Sequence, residues 1–268
     1  MTPRNIDQNA SKNVRQTIAA DKAASTEDLP PAGQYIDKMP PDKALAAMLA
    51  NQAHAITAVE AGLDSIHSAA VAAHQRLCQS DRGRLLYSGA GTSARIGVQD
   101  GAELPPTFNW PHHRVGFLIA GGEAALLRAV ENAEDNADAA AAAVADAAVG
   151  PHDVVIGLAA SGRTVFTAST LRAARQAGAV TIGIANNPDT AVLAVADHPI
   201  LLATGGEIIA GSTRLQAGTA QKICLNLLSN MIMVMMGFVV DGMMAEMVPT
   251  NEKLRHRRRQ IDARLKRD

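Results

Sequence analysis

Three segments of the chain combine glycine with hydroxyl side chains directly before an expected helix. They read SGAGTSAR at residues 88–95, AASGRT at 159–164 and AGSTRLQAGTAQK at 210–222. Glycine lets the backbone approach an anion closely, and the free N–H groups at the start of a helix carry partial positive charge. One such segment is also an ordinary helix N-cap, but three of them together indicate a site for an anionic ligand.

The three segments fit neither GxGxxG nor GxxxxGK[ST], so a dinucleotide or a nucleoside triphosphate is disfavoured and a compact phosphorylated sugar fits better. The candidate ligand-binding residues are Gly91, Thr92, Ser93, Ser161, Gly162, Arg163, Thr164, Ser212, Thr213 and Lys222.

Two carboxylates are candidates for acid–base chemistry. Glu103 lies in QDGAELPPT, where Pro105 and Pro106 are expected to end the preceding helix and to stiffen the chain. Glu134 lies further along, in ENAED. An isolated glutamate is more often a solvated surface group, but Glu103 stands among apolar and small residues close to the first glycine segment. A carboxyl group in such a place is suited to proton transfer.

Other chemistries have little support. The eight histidines are scattered without the spacing of metal ligands, and there is no GxSxG motif. Two cysteines cannot form a disulfide framework, so we expect a cytoplasmic protein. A net charge of −1 and an aromatic content of only 3% argue against a nucleic-acid partner. The apolar run at 224–244 is interrupted by polar residues and predicts a buried or interface helix, not a membrane span.

Five short apolar runs predict strands, at residues 84–88, 115–120, 153–159, 180–185 and 198–202. Their apolar residues are nearly continuous, which is typical of strands buried on both faces of a parallel sheet. Helical patterns separate them, at residues 93–103, 123–149, 164–176 and 189–194. The sequence therefore predicts an α/β fold, a three-layer αβα sandwich around a five-stranded parallel sheet.

The domain layout follows from the same patterns. We expect a flexible tail at residues 1–25, a helical segment at 26–78 with two helices separated near Gly62, and the sheet domain at 79–250. A long helix is expected at 214–239. Residues 251–268 are predicted to form a basic terminal helix with a solvated face.

The quoted segments resemble the sugar isomerase (SIS) family of phosphosugar-binding domains and, within it, the N-acetylmuramic acid 6-phosphate etherases. The resemblance rests on GAGTSARIGVQDGAELPPTF, LIAGGEAALLRAVENAED, VVIGLAASGRT, GSTRLQAGTAQK and PTNEKL, which occur in the family's order between about residues 26 and 254. The combination of ELPPT, ENAED and RLQAGTAQK is specific to the etherases rather than general to SIS loops.

The resemblance implies a lyase that releases D-lactate from the amino sugar, leaving N-acetylglucosamine 6-phosphate. It implies a homodimer with sites near the subunit interface and no metal or organic cofactor. The family's catalytic glutamates fall on Glu103 and Glu134. We assign to Glu103 the transfer of a proton to the departing lactate and from the incoming water. We assign to Glu134 the removal of the proton on the carbon next to the carbonyl, and the two roles could be exchanged. Ser93, Ser161 and Thr164 would hold the phosphate.

The sequence departs from the family pattern at Ala94, Leu104 and Gln216, where glycine, cysteine and lysine are usual. We also expect the family's small helical domain after NEKL to be absent. Two alternatives share the phosphate loops. One is a phosphosugar aldose–ketose isomerase, and the other is a non-catalytic regulator similar to the glucokinase regulatory protein. Both glutamates are present, which argues against the regulator because binding a phosphate requires neither.

Overall fold

A sheet of five parallel strands forms the centre of the computed structural model, which describes residues 25–128, 130–247 and 252–265. The strands are β1 (Leu85–Gly89), β2 (Val115–Ile119), β3 (Val154–Ala159), β4 (Val180–Ala185) and β5 (His198–Leu201). Their order in the sheet is β2-β1-β3-β4-β5, and every pair is parallel. The predicted α/β fold with a five-stranded parallel sheet is confirmed, and each strand lies within one residue of its predicted bounds.

Helices cover both faces of this sheet. They are α1 (Pro41–Gln52), α2 (His54–Ala61), α3 (Leu63–Cys78), α4 (Gly91–Phe108), α5 (Ala137–Asp146), α6 (Val165–Gln176), α7 (Ala191–Val195), α8 (Gln216–Met235) and α9 (Glu252–Leu265). A short antiparallel hairpin, β6 (Val239–Val240) and β7 (Met243–Met244), follows α8. Within the described ranges, none of these helices combines the length and the apolar composition that crossing a membrane requires.

Successive strand residues point into two separate cores. Ile156 packs with side chains of α2, α3, α4 and α8, whereas its neighbour Val155 packs with α5, α6 and α7. Both residues are fully buried, as expected when side chains alternate across a sheet that has helices on each face. The nearly continuous apolar sequence of β3 is thus explained by burial on both sides.

Helix α4 continues past the point at which the sequence predicts its end. Pro105 and Pro106 lie inside its last turn, and the helix ends at Asn109, which has a left-handed φ of 54° and donates its N–H to the carbonyl of Pro105. Each proline removes one hydrogen bond of the helix, and the burial of Leu104 and Phe108 in the core stabilises the last turn despite this loss. Glu103 therefore lies within a helix and not on a turn.

The prediction of a single helix at residues 123–149 is wrong. The chain forms 3-10 turns at Glu123–Leu126 and Ala133–Asp135, and a regular helix begins only at α5. Asn132 adopts a left-handed φ of 57°, which interrupts any helix, and Asn136 caps α5 by accepting a hydrogen bond from the N–H of Ala139 at 2.9 Å. Glu134 is consequently carried on a short turn.

Three further predictions need correction or lie outside the structure. The helical segment before the sheet contains three helices instead of two, because a break at Ala53 adds to the predicted one at Gly62. Helix α8 begins two residues later and ends four residues earlier than predicted, since Gly237 has a φ of 84° and leads into the hairpin. Of the predicted flexible tail, residues 1–24 lie outside the described part of the chain.

The loop after β3 requires glycine at position 162. Gly162 has a φ of 69°, and a Cβ at this position would lie 2.3 Å from Thr190 Oγ1. Gly162→Ala should therefore lower the free energy of unfolding by about 2–4 kcal/mol, because strain and steric overlap add. Urea denaturation measures this change.

Gly33→Ala is the matched control, since Gly33 has a φ of 85° but no neighbouring atom within 4 Å of an added Cβ. This variant carries the backbone strain alone and should lose only about 1 kcal/mol. Equal losses in the two variants would contradict the predicted overlap with Thr190.

Candidate active site

The order of the strands creates a crevice at the carboxyl ends of β1 and β3. From β1 the chain crosses to β2 on one side, whereas β3 lies on the other side of β1. Connections that leave in opposite directions open a gap between adjacent strand ends, which is where α/β proteins bind ligands. The loop with Gly91, Thr92 and Ser93 follows β1, and the loop at residues 161–164 follows β3. The structure therefore brings two of the three predicted segments to neighbouring strand ends.

Two helices begin at this crevice. The first backbone hydrogen bond of α4 runs from Ala94 N–H to the carbonyl of Ala90, and that of α6 runs from Ala168 N–H to the carbonyl of Thr164. The N–H groups of the residues before Ala94 and Ala168 have no partner within their own helices. Ser161 Oγ accepts a hydrogen bond from Arg163 N–H at 3.2 Å, and its hydroxyl proton stays available to a ligand. The two termini suit an anion such as phosphate.

A pocket of about 320 Å³ lies on the β2 side of the crevice. Gly91, Thr92 and Glu134 line it together, so one predicted catalytic residue stands beside the first phosphate loop. Two cations line it as well. Arg95 is held by hydrogen bonds to the carbonyls of Leu126 and Ala125, at 2.7 and 3.1 Å, and Arg128 forms another part of the wall.

Glu103 lines a different cleft, of about 290 Å³, between α4 and α8. Its side chain is exposed and faces the same space as Lys222 of α8. On α4 it follows Arg95 by eight residues, which places it about 12 Å along the helix axis from the first pocket. The two pockets share no lining residue. Within one chain the structure therefore does not bring Glu103 and Glu134 into a common cavity.

The third glycine segment differs from the other two because a carboxylate already occupies its helix terminus. Glu207, only 1% exposed, accepts hydrogen bonds from the backbone N–H groups of Gln216 and Ala217 at 3.1 and 3.0 Å. Ser212 and Thr213 lie just before this terminus. The first turn of α8 therefore binds an internal anion, which the sequence analysis missed; GGE at 205–207, shortly before the third segment, was the available signal.

Gln216, one of the departures from the family pattern, has a structural position. Its fully buried side chain donates hydrogen bonds to the carbonyls of Thr204 and Gly206 at 3.1 and 2.6 Å. The other two departures, Ala94 and Leu104, are buried in the core. Ala94 and Gln216 line neither pocket, and Leu104 forms part of the wall of the cleft.

Asparagines at the end of β4 fix the neighbouring loops. Asn187 Nδ2 donates to the carbonyl of Ala160 at 2.9 Å and to Thr26 Oγ1 at 3.2 Å. Asn186 Nδ2 donates to the carbonyl of Leu202 at 3.1 Å. The pair ties the loop after β3 to the start of the described chain and to the end of β5. Sequence analysis missed both residues, since they stand outside the three glycine segments.

The part of the chain that the structure describes offers no metal site, and one of its two thiols is buried. No cluster of three or more His, Cys, Asp or Glu side chains there is arranged to hold a metal ion. Cys224 is buried in the core, and desolvation raises the pKa of its thiol to about 12, which keeps it protonated and unreactive.

Known proteins are similar to this chain in sequence and in fold. The chain is 47% identical to an N-acetylmuramic acid 6-phosphate etherase of Deinococcus radiodurans over 236 residues, which cover 88% of this chain and 77% of the relative. It is 44% identical to one of Cutibacterium acnes, covering 87% and 76%. The chain belongs to the N-acetylmuramic acid 6-phosphate etherase family. A model of the glucokinase regulatory protein N-terminal SIS domain also matches residues 68–175.

Solved structures agree with the fold of the etherase family. A phosphoheptose isomerase from Francisella tularensis is similar with a TM-score of 0.54 and 19% identity, covering 72% of this chain and 98% of that one. A phosphoheptose isomerase from Neisseria gonorrhoeae is similar with a TM-score of 0.51 and 18% identity, covering 73% and 99%. At this level of identity the likeness shows the SIS fold alone. The etherase relatives confirm the resemblance that the sequence indicates.

Burial of Glu207 makes stability depend on pH. Desolvation raises the pKa of this carboxyl above its ordinary value of 4.5, against the opposing effect of its two backbone hydrogen bonds. The folded state therefore binds the proton more tightly than the unfolded state, and this group lowers stability as pH rises through the interval above 4.5. The free energy of unfolding of the wild type should fall relative to that of Glu207→Gln as pH rises.

Urea denaturation of both proteins at several pH values between about 4 and 7 measures this difference. A difference that stays constant over this interval would show that Glu207 does not titrate with a raised pKa in the folded state.

Proposed function

We propose that this protein is a carbon–oxygen lyase that cleaves the lactyl ether of N-acetylmuramic acid 6-phosphate, giving N-acetylglucosamine 6-phosphate and D-lactate. The observation that carries the proposal is membership in the etherase family together with the presence of both glutamates, each at the wall of a pocket. We further propose that it acts in the cytoplasm, where a chain with two free cysteines is stable.

The substrate phosphate would occupy the crevice between β1 and β3. The hydroxyls of Thr92, Ser93, Ser161 and Thr164 and the free N–H groups at the starts of α4 and α6 would donate to its oxygens. Gly91 and Gly162 let the backbone approach, and Arg163 adds positive charge at the rim. Ser212 and Thr213 would close the crevice from the side of α8, where Thr92 lies against Gly218.

The reaction requires two proton transfers at adjacent carbons of the open-chain sugar. The proton next to the aldehyde is acidic, and the carboxylate of Glu134 removes it. The electron pair forms a carbon–carbon double bond, and the bond to the lactyl oxygen breaks as Glu103 protonates the departing lactate. Glu103 then takes a proton from water, which adds to the double bond, while Glu134 returns its proton to the carbon next to the aldehyde.

A homodimer would complete the site. One chain holds its two glutamates in separate pockets, yet the proposed reaction needs both within a few ångströms of neighbouring carbons. We infer that the cleft with Glu103 in one copy faces the pocket with Glu134 in the other. Three apolar side chains beside the cleft, Leu227, Met231 and Val234 of α8, are each more than 40% exposed and would be covered by this contact.

Glu103→Gln tests the chemistry. Glutamine keeps the shape of the side chain but neither donates nor accepts the required proton, so lactate release should fall by at least about 100-fold. Binding of N-acetylglucosamine 6-phosphate should be preserved. A coupled D-lactate assay and calorimetric titration measure the two quantities.

Glu60→Gln, on the exposed face of α2, is the matched control and should leave both quantities unchanged. If the wild type binds the sugar phosphate without releasing lactate, this result favours the non-catalytic regulator over the lyase. Conversion of an aldose phosphate to a ketose phosphate would favour the isomerase.

Mixing two inactive variants tests the shared site. If each site takes one glutamate from each copy, a heterodimer of Glu103→Gln and Glu134→Gln contains one intact site and one doubly substituted site. Random reassociation should then restore about one quarter of wild-type activity. Lactate release after co-refolding of the two variants measures this recovery, and each variant refolded alone is the control.

No recovery, with heterodimers demonstrated by a size tag on one variant, would show that both glutamates of a site come from the same chain.

A further inference from the structure

A buried carboxylate that the proposed reaction does not use lies in the wall of the cleft. Asp100 of α4, three residues before Glu103, is only 7% exposed. Its Oδ2 accepts a hydrogen bond from the hydroxyl of Tyr87 at 2.8 Å, and its Oδ1 accepts from Asn226 Nδ2 at 3.0 Å and from Ser229 Oγ at 3.1 Å. Burial raises the pKa of this carboxyl, while these donors and the nearby ammonium of Lys222 act in the opposite direction.

Asp100 determines which way the amide of Asn226 faces. Both oxygens of Asp100 accept hydrogen bonds, and Asn226 presents its NH₂ group to one of them. The amide oxygen of Asn226 then faces away from Asp100, and Lys222 Nζ donates a hydrogen bond to it. The donors and acceptors of this chain of contacts thus run in one direction, from Lys222 through Asn226 to Asp100.

The ammonium held in this way lies in the same cleft as Glu103. Among the described residues that line the cleft, Lys222 carries the one positive charge, and Asp100 and Glu103 are the acids. An ammonium next to a proton-donating carboxyl suits a ligand that has a carboxylate close to a leaving oxygen. The lactyl group has this arrangement, since its carboxylate is separated from the ether oxygen by a single carbon.

We propose that Asp100 is a positioning residue which, through Asn226, holds Lys222 where its ammonium meets the lactyl carboxylate of the substrate. The inference rests on the proposed function, because only a lactyl-bearing substrate brings that carboxylate to the cleft. It extends that function by separating two anion sites, the crevice for phosphate and the cleft for carboxylate. The product sugar phosphate lacks the second anion and needs the crevice alone.

A double-mutant cycle tests the proposal. Asp100→Asn introduces an NH₂ group, which allows the Asn226 amide to reverse and to present its own NH₂ group to Lys222. The KM for N-acetylmuramic acid 6-phosphate should rise about tenfold, with a smaller change in kcat. Lys222→Met should raise KM by at least as much, and Asp100→Asn should have no further effect when it is added to Lys222→Met.

Two comparisons separate positioning from loss of structure. The inhibition constant of N-acetylglucosamine 6-phosphate should stay the same in all three variants, because this ligand has no lactyl carboxylate. Tyr87→Phe removes the hydrogen bond to the other oxygen of Asp100 and leaves the contact with Asn226. It should lower thermal stability without raising KM for the substrate.

Equal weakening of substrate and product by Asp100→Asn, or a further tenfold rise when it is added to Lys222→Met, would overturn the proposal. If the wild type releases no lactate, the lyase function fails, and the same cycle is then measured by calorimetric binding of the two sugar phosphates. Tighter binding of the lactyl compound that depends on both Asp100 and Lys222 would still support the positioning role of Asp100. Equal binding of the two compounds would contradict that role.

Discussion

Two helix N-termini side by side are the physical constraint on which the site depends. Helices α4 and α6 both begin at the carboxyl ends of neighbouring strands, so their partial positive charges add at one point. The arrangement follows from the strand order, because β1 and β3 are neighbours in the sheet while β2 lies between them in sequence. An anion placed there would meet the N–H groups of the first turns of α4 and α6, which have no partner within their own helices.

Internal contacts hold the loops around this crevice. Asn187 ties the loop after β3 to the described start of the chain, Gly162 packs against Thr190, and Glu207 anchors the first turn of α8. Each of these polar groups is used inside the protein and not toward a ligand. A buried carboxylate such as Glu207 is costly to desolvate, and the two N–H groups of a helix terminus are among the partners that offset this cost.

The sheet and its ligand loops could be predicted from the sequence, because buried parallel strands leave an apolar run and the turns that follow them need glycine. Local rules failed at two places where the wider fold decides. The prolines at 105 and 106 were expected to end α4, but Leu104 and Phe108 are buried in the core and packing stabilises the last turn around them. The alanine-rich run after β2 suggested one long helix, although Asn132 interrupts it. No sequence pattern indicated that Glu103 and Glu134 would line different pockets, since this depends on which face of α4 packs against α8.

Helix α4 connects the two pockets and fixes the distance between them. Its first turn borders the crevice, and its third and fourth turns carry Asp100 and Glu103 to the cleft beside α8. A helix is stiff over this length, so the separation of about 12 Å along its axis cannot be closed by bending. A hexose phosphate bound in the crevice would need the acid of Glu103 much nearer than this. The α8 face beside the cleft is apolar and exposed, and the proposed dimer, in which a second copy supplies the other Glu103, would cover it.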